Sequence, residues 1–299
     1  MEGLRSFRRR VSRLAILLMC LPVVACGPST GDVSTSDADD KDWHPLFNGS
    51  DLEGWTPKIT GQPPGENMGN TFRVEDGMLT VRYDAYDTFD NQFGHLVSDT
   101  AFSHYVVAAE YRFVGAQAPG GEAWATENSG IMIHSQSAGT MTRDQDFPIS
   151  IEVQLLGRAG QETRPTANLC TPGTHVVMGD SLTTTHCINS DSDTYPGSEW
   201  VRMQARVLGD SLVQHTVNGT TVLEYTQPQI GGGMVAEPDP TVKQDGTPLT
   251  SGHIALQSES HPIQFRTVEV LNLRGCTDPE ATSYKSYYVA AAPDRCRYD

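Results

Sequence analysis

The sequence predicts an all-β fold, a β-sandwich or barrel, and three observations carry that expectation. Ile149 to Leu156 alternates with period two, placing Ile149, Ile151, Val153 and Leu155 on one face and Ser150, Glu152 and Gln154 on the other. Gly130 to Gln136 alternates in the same way, with Ile131 and Ile133 inward and Met132, His134 and Gln136 outward. Between Trp43 and Arg274, about 230 residues carry frequent Gly, Asn and Asp turns, short β-branched and aromatic runs, and no helical periodicity of useful length. Two strands with polar outer faces predict a binding cleft.

At the N-terminus, Arg5, Arg8, Arg9, Arg10 and Arg13 precede the apolar run Leu14 to Val24, which leads into Val23-Val24-Ala25-Cys26. This is the layout of a bacterial lipoprotein signal, so residues 1–25 are expected to be removed. The apolar run is too short to span a bilayer comfortably. Lipid on Cys26 would instead tether the protein in the cell envelope, on the periplasmic or outer surface, and this is the only membrane contact expected. Residues 26–42 lack apolar side chains able to pack and read as an acidic tether.

Loss of five Arg and one Glu from a chain of net charge −16 leaves a mature charge of about −20. Such acidity, without any Lys/Arg cluster interleaved with aromatics after residue 26, excludes nucleic acid as a partner. A neutral or weakly charged small molecule is expected instead.

Within the domain, expected at 43–275, the clearest hairpins run Trp200 to Leu208, a Gly209-Asp210 turn, Ser211 to Val217, an Asn218-Gly219 turn, and Thr220 to Tyr225. His253 to Gln257 and Ile263 to Leu273 give two more strands, with parity broken between Phe265 and Val268 as a bulge would break it. With Cys26 lipidated, Cys170, Cys187, Cys276 and Cys296 remain, and sequence neighbours suggest Cys170 with Cys187 and Cys276 with Cys296. Residues 276–299 form a tail too small to build a core without its bridge.

Glu152 is the leading acid or base, because a carboxylate in the middle of a sheet face can be partly buried and raised in pKa. Laminarinase-type sandwiches carry a Glu-x-Asp-x-x-Glu strand, whereas this register gives Glu152, Gln154 and Gly157, so the second carboxylate of that strand is absent. His134 and His215 are proton-shuttle candidates, with His175 and His186 inside the Cys170–Cys187 loop. His215 also shares parity with Val213 and Val217, which leaves its face open. Gln257, Glu259 and His261 cluster where a strand ends, and Arg266 follows. Trp124, in the Gly/Ala-rich loop Gly115 to Asn128, suits a cleft rim, whereas Trp55 and Trp200 suit the core. No His-x-x-x-His pair or CxxC spacing appears, so no cofactor is expected and a divalent metal is left open.

Leu46-Phe-Asn-Gly-Ser-Asp-Leu-Glu-Gly-Trp55, Asn128-Ser-Gly-Ile131, the Glu152/Gln154 strand, His215-Thr-Val-Asn-Gly219 and the segment from Leu256-Gln257 to Phe265-Arg266 together resemble the 3-keto-disaccharide hydrolase domain family. The resemblance covers about Trp43 to Leu273 in the expected order. It implies a concanavalin/laminin-G-like jelly roll and cleavage of glycosides already oxidised at C3 by a partner sugar 3-dehydrogenase. The keto group would acidify the C2 proton, and removing it would allow the C1 substituent to be expelled. By role, the resemblance implies Glu152 or His215 as base, His134 as proton donor or oxyanion partner, and Gln154, Gln257, Glu259 and Arg266 as sugar contacts. Relatives often carry Arg where His134 stands. The competing expectations are a non-catalytic carbohydrate-binding lipoprotein and an envelope scaffold.

Overall fold

A computed structural model describes residues 41–299; the leader, Cys26 and the tether up to residue 40 lie outside the described residues. The fold is the expected sandwich. One antiparallel sheet has seven strands in the order Cys187–Ile188, Asn168–Cys170, Ile151–Leu156, Asn128–Ser135, Gly252–Ser258, Gly94–Phe102 and Trp55–Ile59. The other has ten, with Val201–Leu208 paired to His104–Phe113 and, through that strand, to Ile263–Asn272.

The two sheets share one core. Ile131, Ile133, Ile151, Val153, Leu155, Ile254 and Leu256 from the seven-stranded sheet meet Val107, Ala109, Val201, Met203, Val207, Val213 and Phe265 from the ten-stranded sheet, and each is buried. Alternation is cleanest in Val201–Leu208, where every second residue is buried. The Asn218-Gly219 turn forms because both residues hold φ near +47° and +87°, the left-handed pair that a two-residue hairpin requires. The register between Ile263–Asn272 and its neighbour shifts between Phe265 and Thr267, the bulge expected from the broken parity.

Both disulfides join the expected cysteines, Cys170 with Cys187 and Cys276 with Cys296. The tail packs against the sandwich: Val289 N–H donates to the Leu273 carbonyl at 2.9 Å, and the Tyr288 ring lies where a Cβ on Gly275 would stand. Tyr287 Oη donates to Asp42 at 3.0 Å, so the two ends of the described chain meet.

The outer face of the seven-stranded sheet departs from simple alternation. Met132 points outward as expected yet is fully buried, because Phe147 and Ala138 from the loop after the Asn128–Ser135 strand cover it together with Val97 and Ala255. A loop thus roofs part of the face and leaves a hollow beside it.

Candidate active-site cleft

That hollow is a cleft of about 510 Å³. Glu152, Gln154, Asn128 and Glu259 supply the polar groups of its floor, Asn91, Glu122 and His186 further polar lining, Phe93, Trp124 and Phe147 one apolar side, and Pro172, Met234 and the Cys170–Cys187 disulfide the rest. Antiparallel register brings its floor together. Glu152 stands opposite Met132 on one side and Cys170 on the other, and Gln154 opposite Gly130 and Asn168. Gln257 stands opposite His95, which stands opposite Lys58.

Gly130 shapes the centre of the floor. A Cβ on Gly130 would lie 2.7 Å from Glu152 Oε1 and 2.8 Å from its Cγ, so the Glu152 side chain leans across the notch that the missing side chain leaves. Gly130→Ala is therefore expected to displace the carboxylate and to lower turnover about 100-fold, since small misplacements of a reacting group carry penalties of this order. Steady-state kinetics beside an unchanged circular dichroism spectrum checks this.

Glu152 and Glu259 are both buried and interact electrostatically. Burial pushes the Glu152 carboxyl up to about 8. Glu259 is held well above the ordinary carboxylate range, first by burial and then by the Glu152 charge, against an opposing pull from Arg164. Two carboxyls in one low-dielectric site resist ionising together, so the pair holds at least one proton at neutral pH. The second carboxylate missing from the Glu152 strand thus arrives from just past the Gly252–Ser258 strand, two places across the sheet with Asn128–Ser135 between.

Arg164 ties this corner together. Its guanidinium donates to the carbonyls of Thr126, Glu127 and Gly157 through Nη1 at 2.7–3.0 Å, and to that of Trp124 through Nη2 at 3.0 Å. The Trp124–Asn128 segment is thereby pinned beside Glu259.

Several buried polar groups here lack a partner within the protein: both ring nitrogens of His95, both amide atoms of Gln257, Asn128 Oδ1 and Glu259 Oε2. Buried groups of this kind each cost about 1–3 kcal/mol unless something satisfies them, so such a concentration points to a ligand rich in hydrogen-bonding groups. Burial and the adjacent Lys58 charge push His95 down to about 3. Burial likewise brings the Lys58 ammonium down to about 8, against the pull of Asp144, while it donates to the carbonyls of Ile59 and Arg143.

The expected site residues divide between the cleft and elsewhere. Glu152, Gln154, Glu259 and Trp124 line the cleft, and Gln257 lies in the adjoining floor row. His215 does not: it points into the core between the sheets, where Nδ1 donates to the Ala167 carbonyl at 2.8 Å and Nε2 accepts from Tyr225 Oη at 2.9 Å. Its parity with Val213 and Val217 decided its direction. His134 also lies away from the cleft. Its φ of +50° turns it out of the strand's alternation where Gly252 approaches its backbone, and Nε2 donates to the Gly209 carbonyl at 3.0 Å. Arg266 sits on the other sheet, over the Trp200 ring at 4.6 Å and paired with Glu110. Trp200 itself is half-buried between Arg266 and Arg112 on that outer face, whereas Trp55 is in the core with its indole N–H donating to the Leu46 carbonyl.

Lys58, His95, Phe93, Phe147 and Arg164 escaped the sequence reading. A signal existed for His95, whose neighbours Leu96 and Gly94 alternate with it in a strand-like run, but nothing local says which strand lies beside it. His186 Nδ1, beside the cleft, is buried without a partner, and the ring is held low by burial. Cys170, His186 and Cys187 cluster within 4.8 Å, the sole such grouping of possible metal ligands among the described residues, yet the disulfide takes both sulfurs out of metal chemistry.

Among solved structures, a candidate glycosyl hydrolase from Parabacteroides distasonis is 19% identical, with 80% of this chain and 97% of that one covered and a TM-score of 0.49. A galectin-like protein of unknown function from Bacillus subtilis is 16% identical, with coverages of 77% and 94% and a TM-score of 0.47. The β-glucanase of Bacillus licheniformis is 10% identical, with coverages of 78% and 98% and a TM-score of 0.44. No curated relative matches the chain. Residues 42–271 match the family described as the 3-keto-alpha-glucoside-1,2-lyase-like domain, and the chain belongs to that family.

Proposed function

We propose that the protein cleaves 3-keto-glycosides in the cell envelope by removing the C2 proton and eliminating the C1 substituent. The observation that carries this reading is the buried Glu152/Glu259 pair in a floor of unpartnered amide and imidazole groups. Family membership supports it from a separate direction.

Glu152, in its ionised form, takes the C2 proton. The C2–H electrons form the enolate on the C3 oxygen. When that enolate collapses, the C1–O bond breaks and a C1–C2 double bond remains beside the restored C3 carbonyl. Glu259, which retains its proton, gives it to the departing oxygen. Water added across the new double bond completes a net hydrolysis. The proton-donor role expected of His134 passes to Glu259, which lies in the cleft as His134 does not. Asn128, Gln154 and Gln257 hold ring hydroxyls. The Arg-rich leader and Cys26 support a lipid-anchored place in the envelope, where a sugar 3-dehydrogenase would supply the substrate.

The deciding experiment incubates the protein with a panel of 3-keto-glycosides, with and without chelator, and follows release of the C1 substituent. Release is expected; a folded protein releasing nothing from any member refutes the proposal. A pH profile gives a second expected result. Because the base must be ionised and Glu152 is raised, kcat/KM in the free enzyme is expected to climb as pH rises through about 8, then fall once Glu259 loses its proton at higher pH.

A further inference from the structure

The apolar side of the cleft is larger than the CH face of one sugar requires. Trp124 stacks on Phe93 at 6.2 Å between ring centroids and 21° between planes, and Phe93 leans on Phe147 at 4.8 Å. This gives three adjoining rings where a pyranose stacks on one. Trp124 is 53% exposed and Met234 is 63% exposed, large apolar side chains at the mouth of a cleft whose floor is polar. Met234 also holds φ at +60°, a left-handed conformation that an unbranched non-glycine residue adopts at some energetic expense. Its segment is fixed: the Gly233 carbonyl accepts from Gly173 N–H at 2.8 Å, and Ala236 N–H donates to Asp146 at 2.7 Å. Strain held in place by such ties sets Met234 and Pro172 in the same cleft lining as Trp124.

From this we infer that Trp124, Phe93, Phe147 and Met234 form a subsite for an apolar group on C1, so that the favoured ligands are glycosides of aryl or arylalkyl alcohols and not disaccharides. The inference rests on the cleft holding a glycoside, as proposed above. The sugar occupies the polar floor around Glu152, Asn128 and Gln257, and its C1 substituent lies against the aromatic steps. Asn91 and Glu122 stand at the exposed rim, but the ring faces and the Met234 thioether offer little to a hydroxyl group, so a second sugar lying on them would bury hydroxyls against carbon and sulfur. An aryl group would bury only apolar surface.

Methyl and 2-phenylethyl 3-keto-glucosides, in both anomers, make the test, because both carry alkoxide leaving groups and differ chiefly in apolar bulk. Calorimetry on the wild-type protein and on Glu152→Gln is expected to show the 2-phenylethyl compound binding about tenfold tighter than the methyl one in the preferred anomer. Trp124→Ala and Met234→Ala, both at exposed positions, are expected to abolish that preference, bringing the 2-phenylethyl affinity down to that of the methyl glucoside. Equal affinities in the wild type overturn the inference. So does a Trp124→Ala variant that loses both ligands equally, since the indole would then be a platform for the sugar ring. A retained phenylethyl preference without turnover refutes the catalytic proposal alone; turnover without preference refutes the apolar subsite alone.

Discussion

Glu152→Gln is expected to lower kcat on a cleavable 3-keto-glycoside by about a thousandfold or more while leaving folding and ligand affinity near wild type. The amide occupies the same volume over the Gly130 notch, so packing survives. What disappears is the group proposed to accept the C2 proton. The substitution also removes the charge that helps hold Glu259 above the ordinary carboxylate range. The rise of activity through about pH 8 is expected to vanish from the residual rate, and any ionisation assigned to Glu259 is expected to move down. Kinetics across pH and calorimetry on the same preparation check both. Full turnover in Glu152→Gln would place the base elsewhere, whereas equal ligand binding by both proteins with product from neither would describe a carbohydrate-binding module. The matching Glu259→Gln change retains a proton donor of sorts only in its amide, so it is expected to hurt substrates with poor leaving groups most.

How much of this could be read from the sequence depended on the range of the information needed. Core strands announced themselves: Ile131, Ile133, Ile151, Val153 and Leu155 point inward because a period-two run with one apolar face has one stable register. The hairpin turn at Asn218-Gly219 and the break in parity near Arg266 were equally local. Glu152 and Gln154 shared a face for the same reason.

The cleft itself depends on pairings across long stretches of chain. Glu259 meets Glu152 because the Gly252–Ser258 strand lies beside Asn128–Ser135, more than a hundred residues away in sequence. Lys58, His95 and Gln257 align through two such pairings. Arg266 illustrates the converse. Its bulge was legible, but alternation says nothing about which sheet a strand joins, and the strand went to the ten-stranded sheet. His134 failed for a third reason: a local backbone turn at positive φ cancels the parity on which its outward orientation was argued. Met132 kept its parity and lost its exposure to a covering loop.

His215, displaced from any catalytic role, is expected to govern how the protein responds to acid. Its ring is fully buried, edge-on to Tyr225 at 5.3 Å, and both nitrogens are committed in the neutral form. A proton on Nε2 would break the hydrogen bond from Tyr225 and put a charge in the core. Burial accordingly pushes the ring down from 6.5 to about 4, against the weaker pull of the Ala167 carbonyl. The folded value lies below the unfolded one, so the neutral ring contributes its full stability above about pH 6.5, and that contribution is lost as pH falls toward 4. A shift of this size corresponds to about 3 kcal/mol. His215→Leu removes the titration and leaves Tyr225 Oη and the Ala167 carbonyl without their partner, a cost of about 2–4 kcal/mol at pH 7. Urea unfolding of both proteins at pH 7 and pH 4 separates the two effects, because every other titrating group, including Glu152 and His134, is common to both. The variant is expected to be the less stable at pH 7, with the gap closing by about 3 kcal/mol at pH 4. A gap that stays constant with pH would mean that the ring is already protonated, or able to reach water, in the folded protein.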